Sequence, residues 1–260
     1  MSWSIYKTEG IVLRSDPVRE ADRRYRILTR THGKIEVLGR GARKGKAKLS
    51  AHLEPFAVVE LEVVRGRQQS TVIGVERKIW FTNIHRSLEA RLLAQSTLNF
   101  VDRCTRELDL DEYLYDELLS FLNFLNSVEI VKPLRGTYVA GGFLLRLLSH
   151  IGYELELGHC LTCREEIMPL SFRWHRSRGG LVCTNCIEQK EGEFETAKPM
   201  REETVKLLRF ARESSYADLM RPPLSASDLE EFASCVHDMM AIHIPGDWEI
   251  PYWRAVLEPC

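Results

Sequence analysis

Residues 56–79 read FAVVELEVVRGRQQSTVIGVERKI. In the first half Val59, Leu61 and Val63 alternate with Glu60 and Glu62, the period of a strand with one face buried. The second half, Ser70–Ile79, carries β-branched Thr71, Val72, Ile73 and Val75, and Arg65-Gly66 marks a turn between the two. Toward the N-terminus, Ile5–Arg14, Arg24–Thr29 and Ile35–Leu38 read as three further strands. Turn signals at Asp16-Pro17, His32-Gly33 and the loop Gly39–Gly45 separate them. Five short strands in about eighty residues predict a small closed barrel or a sandwich. A five-stranded oligonucleotide-binding (OB) barrel fits that count.

Beyond residue 82 the period changes from two to about 3.6. Ser87 is placed to cap a helix in which Leu93, Leu98, Val101, Cys104 and Leu108 share a side, and a second helix at about 111–126 presents Leu110, Leu114, Leu118, Phe121 and Leu125 at spacings of 4, 4, 3 and 4. Pro133 suits the first turn of a third helix running to about Gly152. Two later stretches, Arg201–Glu213 and Ser227–Ala241, also read as helices, the second with Ser227 and Glu230 at capping-box spacing. The expected architecture is therefore α+β and multidomain. An OB-fold domain at 1–82 precedes a helical domain at 83–260, which carries a cysteine module at 158–188.

The 260 residues are 44% apolar and 28% charged, the proportions of a globular chain rather than a disordered one. No apolar run approaches the ~18 residues of a membrane span, since Arg146 interrupts the Gly141–Leu148 stretch. The first residues, MSWSIYKTEGIVLRS, lack the apolar core of a secretion signal, which implies a cytoplasmic protein. Net charge is −1, but its distribution is uneven. Residues 1–80 hold 17 Lys and Arg against 9 Asp and Glu, a balance of +8, and the rest hold 19 against 28, a balance of −9.

Seven cysteines stand at 104, 160, 163, 183, 186, 235 and 260. The odd number and the absence of a secretion signal argue against a disulfide framework. Cys160-x2-Cys163 and Cys183-x2-Cys186 are separated by 19 residues, the spacing of a four-thiolate zinc site. Each CxxC lets one tight turn aim two sulfurs at the same ion, and two turns complete a tetrahedron with no open position, so the one zinc ion expected is structural. Gly179-Gly180 fits a hairpin leading into the second turn. Cys104 and Cys235 fall in helical patterns and read as small buried hydrophobes.

The loop Gly39-Arg-Gly-Ala-Arg-Lys-Gly-Lys-Ala-Lys48 resembles a phosphate loop in composition only. Gly41 and Gly45 enclose three residues and Gly39 and Gly45 five, where a nucleotide P-loop needs four, and Ala47 follows Lys46. Lys44 stands where the last glycine of a dinucleotide fingerprint belongs. No GxSxG or HExxH occurs, and His237 and His243 are six apart, off a shared helix face. What remains is charge. Arg40, Arg43, Lys44, Lys46 and Lys48 crowd into nine residues, with Arg23, Arg24 and Arg26 before them and Arg30 and Lys34 at the turn between. On a barrel pattern, such a cluster suits a nucleic-acid backbone, whose dense phosphates release counterions when neutralised. Tyr25 and Trp80 are the candidate base-stacking rings, with a place in the core as the alternative for each, and the sequence does not decide between the two. No catalytic residue is assigned, because four thiolates without a general base are a poor basis for a metalloenzyme or thiol oxidoreductase.

With the parts in this order, the stretch TEGIVLRSDPVREADRRYRILTRTHGKIEVLGRGARKGKAKLSAHLEPFAVVELEVVRGR resembles the N-terminal barrel of the bacterial DNA repair RecO family. FLLRLLSHIGYELELGHCLTC followed by RGGLVCTNC resembles that family's helical segment running into its zinc module, so the likeness covers roughly residues 3–215. The resemblance implies a non-enzymatic recombination mediator of the bacterial nucleoid. Such a protein binds single- and double-stranded DNA, anneals complementary strands and, with RecR, assists RecA loading on strands coated by the single-stranded-DNA-binding protein. It implies basic barrel positions at Lys34, Arg40 and Arg43 and zinc ligands at Cys160, Cys163, Cys183 and Cys186. It implies no membrane and no small-molecule substrate. The C-terminal IHIPGDWEIPYWRAVLEPC departs from the family's usual ending, so no residue there is assigned to the coating protein. The alternative is an RNA-binding or translation-associated module of zinc ribbon and OB barrel, since barrels serve both nucleic acids.

Overall fold

β1 (Ser4–Val18) is 15 residues long and serves two partners. Its first part, Ser4–Ile11, pairs antiparallel with β4 (Val58–Arg65), and its second, Gly10–Val18, pairs antiparallel with β2 (Asp22–Thr29). A bulge between Val12 and Arg14 bends the strand between those duties. β3 (Gly33–Gly39) follows β2 through a tight turn, and β5 (Ser70–Ile79) pairs antiparallel with β4 and parallel with β3. The ring closes in the order β1-β2-β3-β5-β4, an OB-like barrel. The computed structural model describes residues 4–44, 48–128, 133–190 and 192–244, without the side chains of Lys48 and Pro133.

The alternation read in the sequence sets the barrel interior. Val59, Leu61 and Val63 from β4 meet Tyr25 and Ile27 from β2 and Val37 from β3, all buried. Asp16-Pro17, expected as a turn, lies inside β1, where Pro17 pairs with Arg23. β4 leaves β1 at Ile11, so the missing N–H of Pro17 falls on an unpaired edge and disrupts no ladder. The reversal comes at Arg19–Ala21, with Arg19 at φ 57°. A short helix, α1 (Lys48–His52), absent from the sequence reading, sits between β3 and β4.

The chain forms two compact units, Met1–Glu129 and Ile130–Cys260. The first joins to the barrel the helices α2 (Thr82–Arg86), α3 (Leu88–Cys104) and α4 (Glu112–Ser127). Ser87 caps α3 as expected, accepting from the amide of Ala90. α3 ends at Cys104, one turn short of Leu108, which is exposed at φ 61° and donates its N–H to the Lys34 carbonyl.

The second unit packs α5 (Pro133–His150) with α7 (Glu202–Glu213) and α8 (Ala226–His243). Ser225, not Ser227, caps α8, its hydroxyl accepting from the Asp228 amide. Between α5 and α7 lie β6 (Phe172–His175), β7 (Gly180–Cys183), α6 (Thr184–Gln189) and β8 (Lys198–Pro199), with the sheet ordered β7-β6-β8. The expected hairpin is the β6–β7 pair, turned by Gly179 at φ 61°. No helix among the described residues is long and apolar enough to cross a membrane.

Candidate nucleic-acid interface and cysteine centre

One loop of the barrel carries three exposed cations of the expected patch. The loop after β3 is fastened to the β1–β2 turn. The Arg43 amide donates to the Ala21 carbonyl at 2.9 Å, the Arg43 guanidinium donates to the Arg19 carbonyl at 3.1 Å, and the Gly41 amide donates to Asp22 Oδ1 at 2.8 Å. Ala42 is driven into the core, so its neighbours are pushed outward. Arg40, Arg43 and Lys44 are exposed and have no carboxylate partner among the described residues. Beneath them Arg23, Arg43, Lys44, Ser50 and Glu54 line a cavity of about 330 Å³ that ends on Tyr25. Arg43 and Lys44 thus share one cavity, and Arg40 is exposed in the same turn. Lys46 lies outside the described residues, and Lys48 is placed there in backbone only.

The remaining cations of the expected patch are engaged elsewhere. Arg24 Nε lies 3.1 Å from Glu36 Oε1 across the β2–β3 ladder. Arg26 donates to Asp102 at 2.5 Å and to Asp16 at 3.2 Å. Lys34 is only 7% exposed; its ammonium donates to the Asp102 backbone carbonyl and lies 3.4 Å from Asp102 Oδ1. These contacts correct the reading of Arg26 and Lys34 as free phosphate ligands, since a charge already neutralised releases no counterions on meeting a phosphate. Of the two candidate rings, Tyr25 takes the core alternative, and Trp80 is half-buried against its neighbours. Tyr25 is 1% exposed in the barrel core, and Trp80 is stacked on His85 at 3.8 Å with the Arg77 guanidinium 4.4 Å from its ring centroid.

A second groove, of about 640 Å³, opens on the outer face of β2 and β3 beside the β4–β5 hairpin. It exists because β3 and β5 pair over only two positions, Val37 with Ser70 and Leu38 with Thr71, and diverge beyond them. Arg65 and Arg67 stand on its hairpin wall, and Tyr6 and His32 stack on each other at 4.4 Å within it. Sequence reasoning missed all four. The arginines were visible beside the turn signal at Gly66, but the ring pair exists only once β1 passes the β2–β3 turn.

In the second unit the four expected ligand sulfurs converge. The Sγ atoms of Cys160, Cys163, Cys183 and Cys186 all lie within 4.8 Å of one another. The first turn is closed by the Arg164 amide on the Cys160 carbonyl, with Arg164 at φ 63°, and by the Cys160 amide on the Glu165 carbonyl. The second begins at Cys183, where β7 ends and α6 starts. Cys163 and Cys183 Sγ are 3.8 Å apart, matching the edge of about 3.8 Å in a tetrahedron with Zn–S near ~2.3 Å. Burial opposes ionisation of the Cys160 thiol, but the amides of Cys183, Cys163 and Thr162, directed at Sγ, outweigh it and bring its pKa down to about 6. The donor set is thus four soft sulfurs, one already disposed to be a thiolate, which fits a single metal ion. Cys235 is buried in α8 as expected, Cys104 is partly buried, and Cys260 lies outside the described residues.

Two family models match this arrangement: the recombination protein O N-terminal domain over residues 1–77 and its C-terminal domain over residues 85–248. The chain belongs to the RecO family. Among similar RecO proteins, all named DNA repair protein RecO, that of Bacillus subtilis is 30% identical over 83% of this chain and 79% of its own length. That of Cutibacterium acnes is 33% identical over 78% and 80%, and that of Dehalococcoides mccartyi strain CBDB1 28% identical over 87% and 85%. The N-terminal RecO match covers the barrel almost to the end of β5, and the C-terminal RecO match carries all four cysteines. Of the three basic RecO positions implied by resemblance, Arg40 and Arg43 are exposed here and Lys34 is buried.

Proposed function

We propose that this RecO-family DNA repair protein binds single- and double-stranded DNA without reading sequence, through the backbone phosphates, using residues 1–82 as its nucleic-acid-binding domain. The observation that carries the reading is the trio Arg40, Arg43 and Lys44, exposed on a loop tied to the barrel end and without an ion-pair partner among the described residues. The backbones of two complementary strands repel each other. Neutralising both at one surface lowers the barrier to pairing, so the same trio supports strand annealing. Family membership supports action with RecR, and assistance to RecA on strands covered by the single-stranded-DNA-binding protein. No bond-breaking step is assigned.

The four thiolates would hold one zinc ion, supplying a closed and redox-inert cross-link. Around it Cys160, Cys186, Val182, Phe194 and Ala197 form a small core of their own. Such a core is too small to hold the segment 158–188 in shape without a staple.

The test is salt and substitution together. Affinity for a single strand should fall with salt at a log–log slope near −0.7 per phosphate contact. Replacing Arg40, Arg43 and Lys44 with Ala should flatten that slope and weaken binding to unrelated sequences equally. Salt-independent binding, or a trio variant that binds and anneals like the parent, would overturn the reading. A strong preference for RNA over DNA of the same sequence would favour the translation-associated alternative.

A further inference from the structure

We infer that the groove between β3 and the β4–β5 hairpin is a subsite for an unpaired nucleobase, with His32 as the stacking platform and Arg65 and Arg67 as its phosphate contacts. The inference rests on the proposed nucleic-acid binding and adds what discriminates single strands from duplex. Tyr6 packs against the barrel core on one side and stacks with His32 at 4.4 Å, the planes 29° apart. The Thr31 hydroxyl lies 2.8 Å from His32 Nδ1, which fixes the imidazole about its own axis. A half-buried ring, supported from below and held at its edge, is preorganised for a third flat partner.

The walls fit such a partner. Leu108, 58% exposed, offers an apolar surface in the groove, held there by its amide on the Lys34 carbonyl. Arg65 and Arg67 are exposed on the hairpin and have no carboxylate partner among the described residues. Of the two carboxylates lining the groove, Glu36 is paired with Arg24, and Glu107 is exposed at the rim. The groove volume of about 640 Å³ lies within the ~300–1,000 Å³ of small-ligand sites.

Strandedness follows from geometry. In a duplex both faces of each interior base are covered by its neighbours, so no face is available to His32. In a single strand one base can leave its stack and add to the ring pair. The barrel-end trio contacts only phosphates and so serves both forms.

The experiment compares His32→Ala, His32→Phe and the Arg40, Arg43, Lys44 triple Ala variant. Fluorescence anisotropy is measured on a thymidine oligonucleotide and on a duplex of equal length. Removing the stacking ring in His32→Ala should weaken single-strand binding about 5- to 160-fold. Duplex binding should stay within about twofold, and Phe should restore most of the affinity. The triple variant should weaken both. A strand carrying 4-thiothymidine should photocrosslink to the peptides containing Tyr6 or His32. If His32→Ala leaves single-strand binding unchanged, or weakens both forms equally, while the triple variant still weakens both, the subsite is wrong and the phosphate reading stands. If neither change affects any binding, both are wrong. Crosslinks confined to other peptides also overturn the subsite.

Discussion

The Lys34 ammonium in β3 lies 3.4 Å from Asp102 Oδ1 in α3, and the two side chains are 9% and 4% exposed. This is a buried ion pair rather than a surface contact, and Arg26 completes it at 2.5 Å on the other carboxylate oxygen. Removing one member of a buried pair leaves the other charged and poorly solvated. Asp102→Ala strands Lys34 and half-strands Arg26, and should destabilise the barrel unit by about 3–5 kcal/mol. Lys34→Met leaves Asp102 its bond to Arg26 and should lose only about 1–2 kcal/mol. Urea unfolding followed by Trp fluorescence measures both. Equal losses, or a Lys34→Met variant that is stable yet defective in phosphate binding, would return Lys34 to the interface.

The pair also shows where sequence stops informing. Lys34 and Asp102 are 68 positions apart, so no local pattern announces that a lysine in a basic cluster is already neutralised. Local signals did better. The two CxxC turns are contained in a few residues each, and their sulfurs meet as the spacing requires. The strands of the barrel follow from alternation, and once the interior face is known the same alternation decides between the two readings of Tyr25. Tyr25 is in phase with Ile27, a buried position, and out of phase with Arg24 and Arg26. Its burial was legible; its use as a stacking ring was not consistent with that phase. The helix caps failed by a small register. Ser225 and Ser227 both precede an acidic residue by three, so the local pattern does not choose between them, and the helix uses the first.

Metal removal should act on the module alone. The purified chain should contain one zinc ion, and a strong chelator should make Cys160, Cys163, Cys183 and Cys186 reactive to thiol reagents in a single step. Limited proteolysis should then cut within residues 158–190 while residues 4–79 stay protected. Cys163→Ser should reproduce the sensitivity without chelator. Four thiols equally reactive before and after chelation would show that no ion is held there.

Acid should loosen the same module through Glu156. Its carboxylate accepts amide hydrogen bonds from Gly158 at 3.1 Å and His159 at 2.9 Å, just ahead of the first cysteine turn. Burial pushes its pKa up, but these amides, with the charges of His159 and Arg164, outweigh burial and hold it below the ordinary 4.5. The folded state thus binds the proton more weakly than the unfolded one. The stabilisation is complete above pH 4.5 and is lost as pH falls through the lowered value. Glu156→Gln should remove this portion of the acid dependence and lower stability at neutral pH. A variant whose acid unfolding profile overlays that of the parent would assign the acid sensitivity to other groups.

The turn that carries His32 into the groove depends on Gly33. Its φ is +65°, where side chains are disfavoured, and a Cβ built on it would stand 2.2 Å from the carbonyl oxygen of Asp109 in the α3–α4 connection. The Thr29 hydroxyl donates to the Gly33 carbonyl at 2.7 Å and accepts from the His32 amide at 3.1 Å, so the turn has little freedom to yield. Gly33→Ala therefore adds backbone strain to a clash with main chain, and should destabilise by more than about 1 kcal/mol. To relieve the clash, either the turn or the segment 105–109 must move, and each bears on the groove: the first displaces His32 from Tyr6, the second displaces Leu108. Thermal unfolding measures the stability loss, and His32 ring resonances, shifted by the Tyr6 ring current, measure the displacement. A Gly33→Ala variant with unchanged midpoint and unchanged His32 shifts would mean that the turn relaxes elsewhere, and that its glycine is dispensable to the groove.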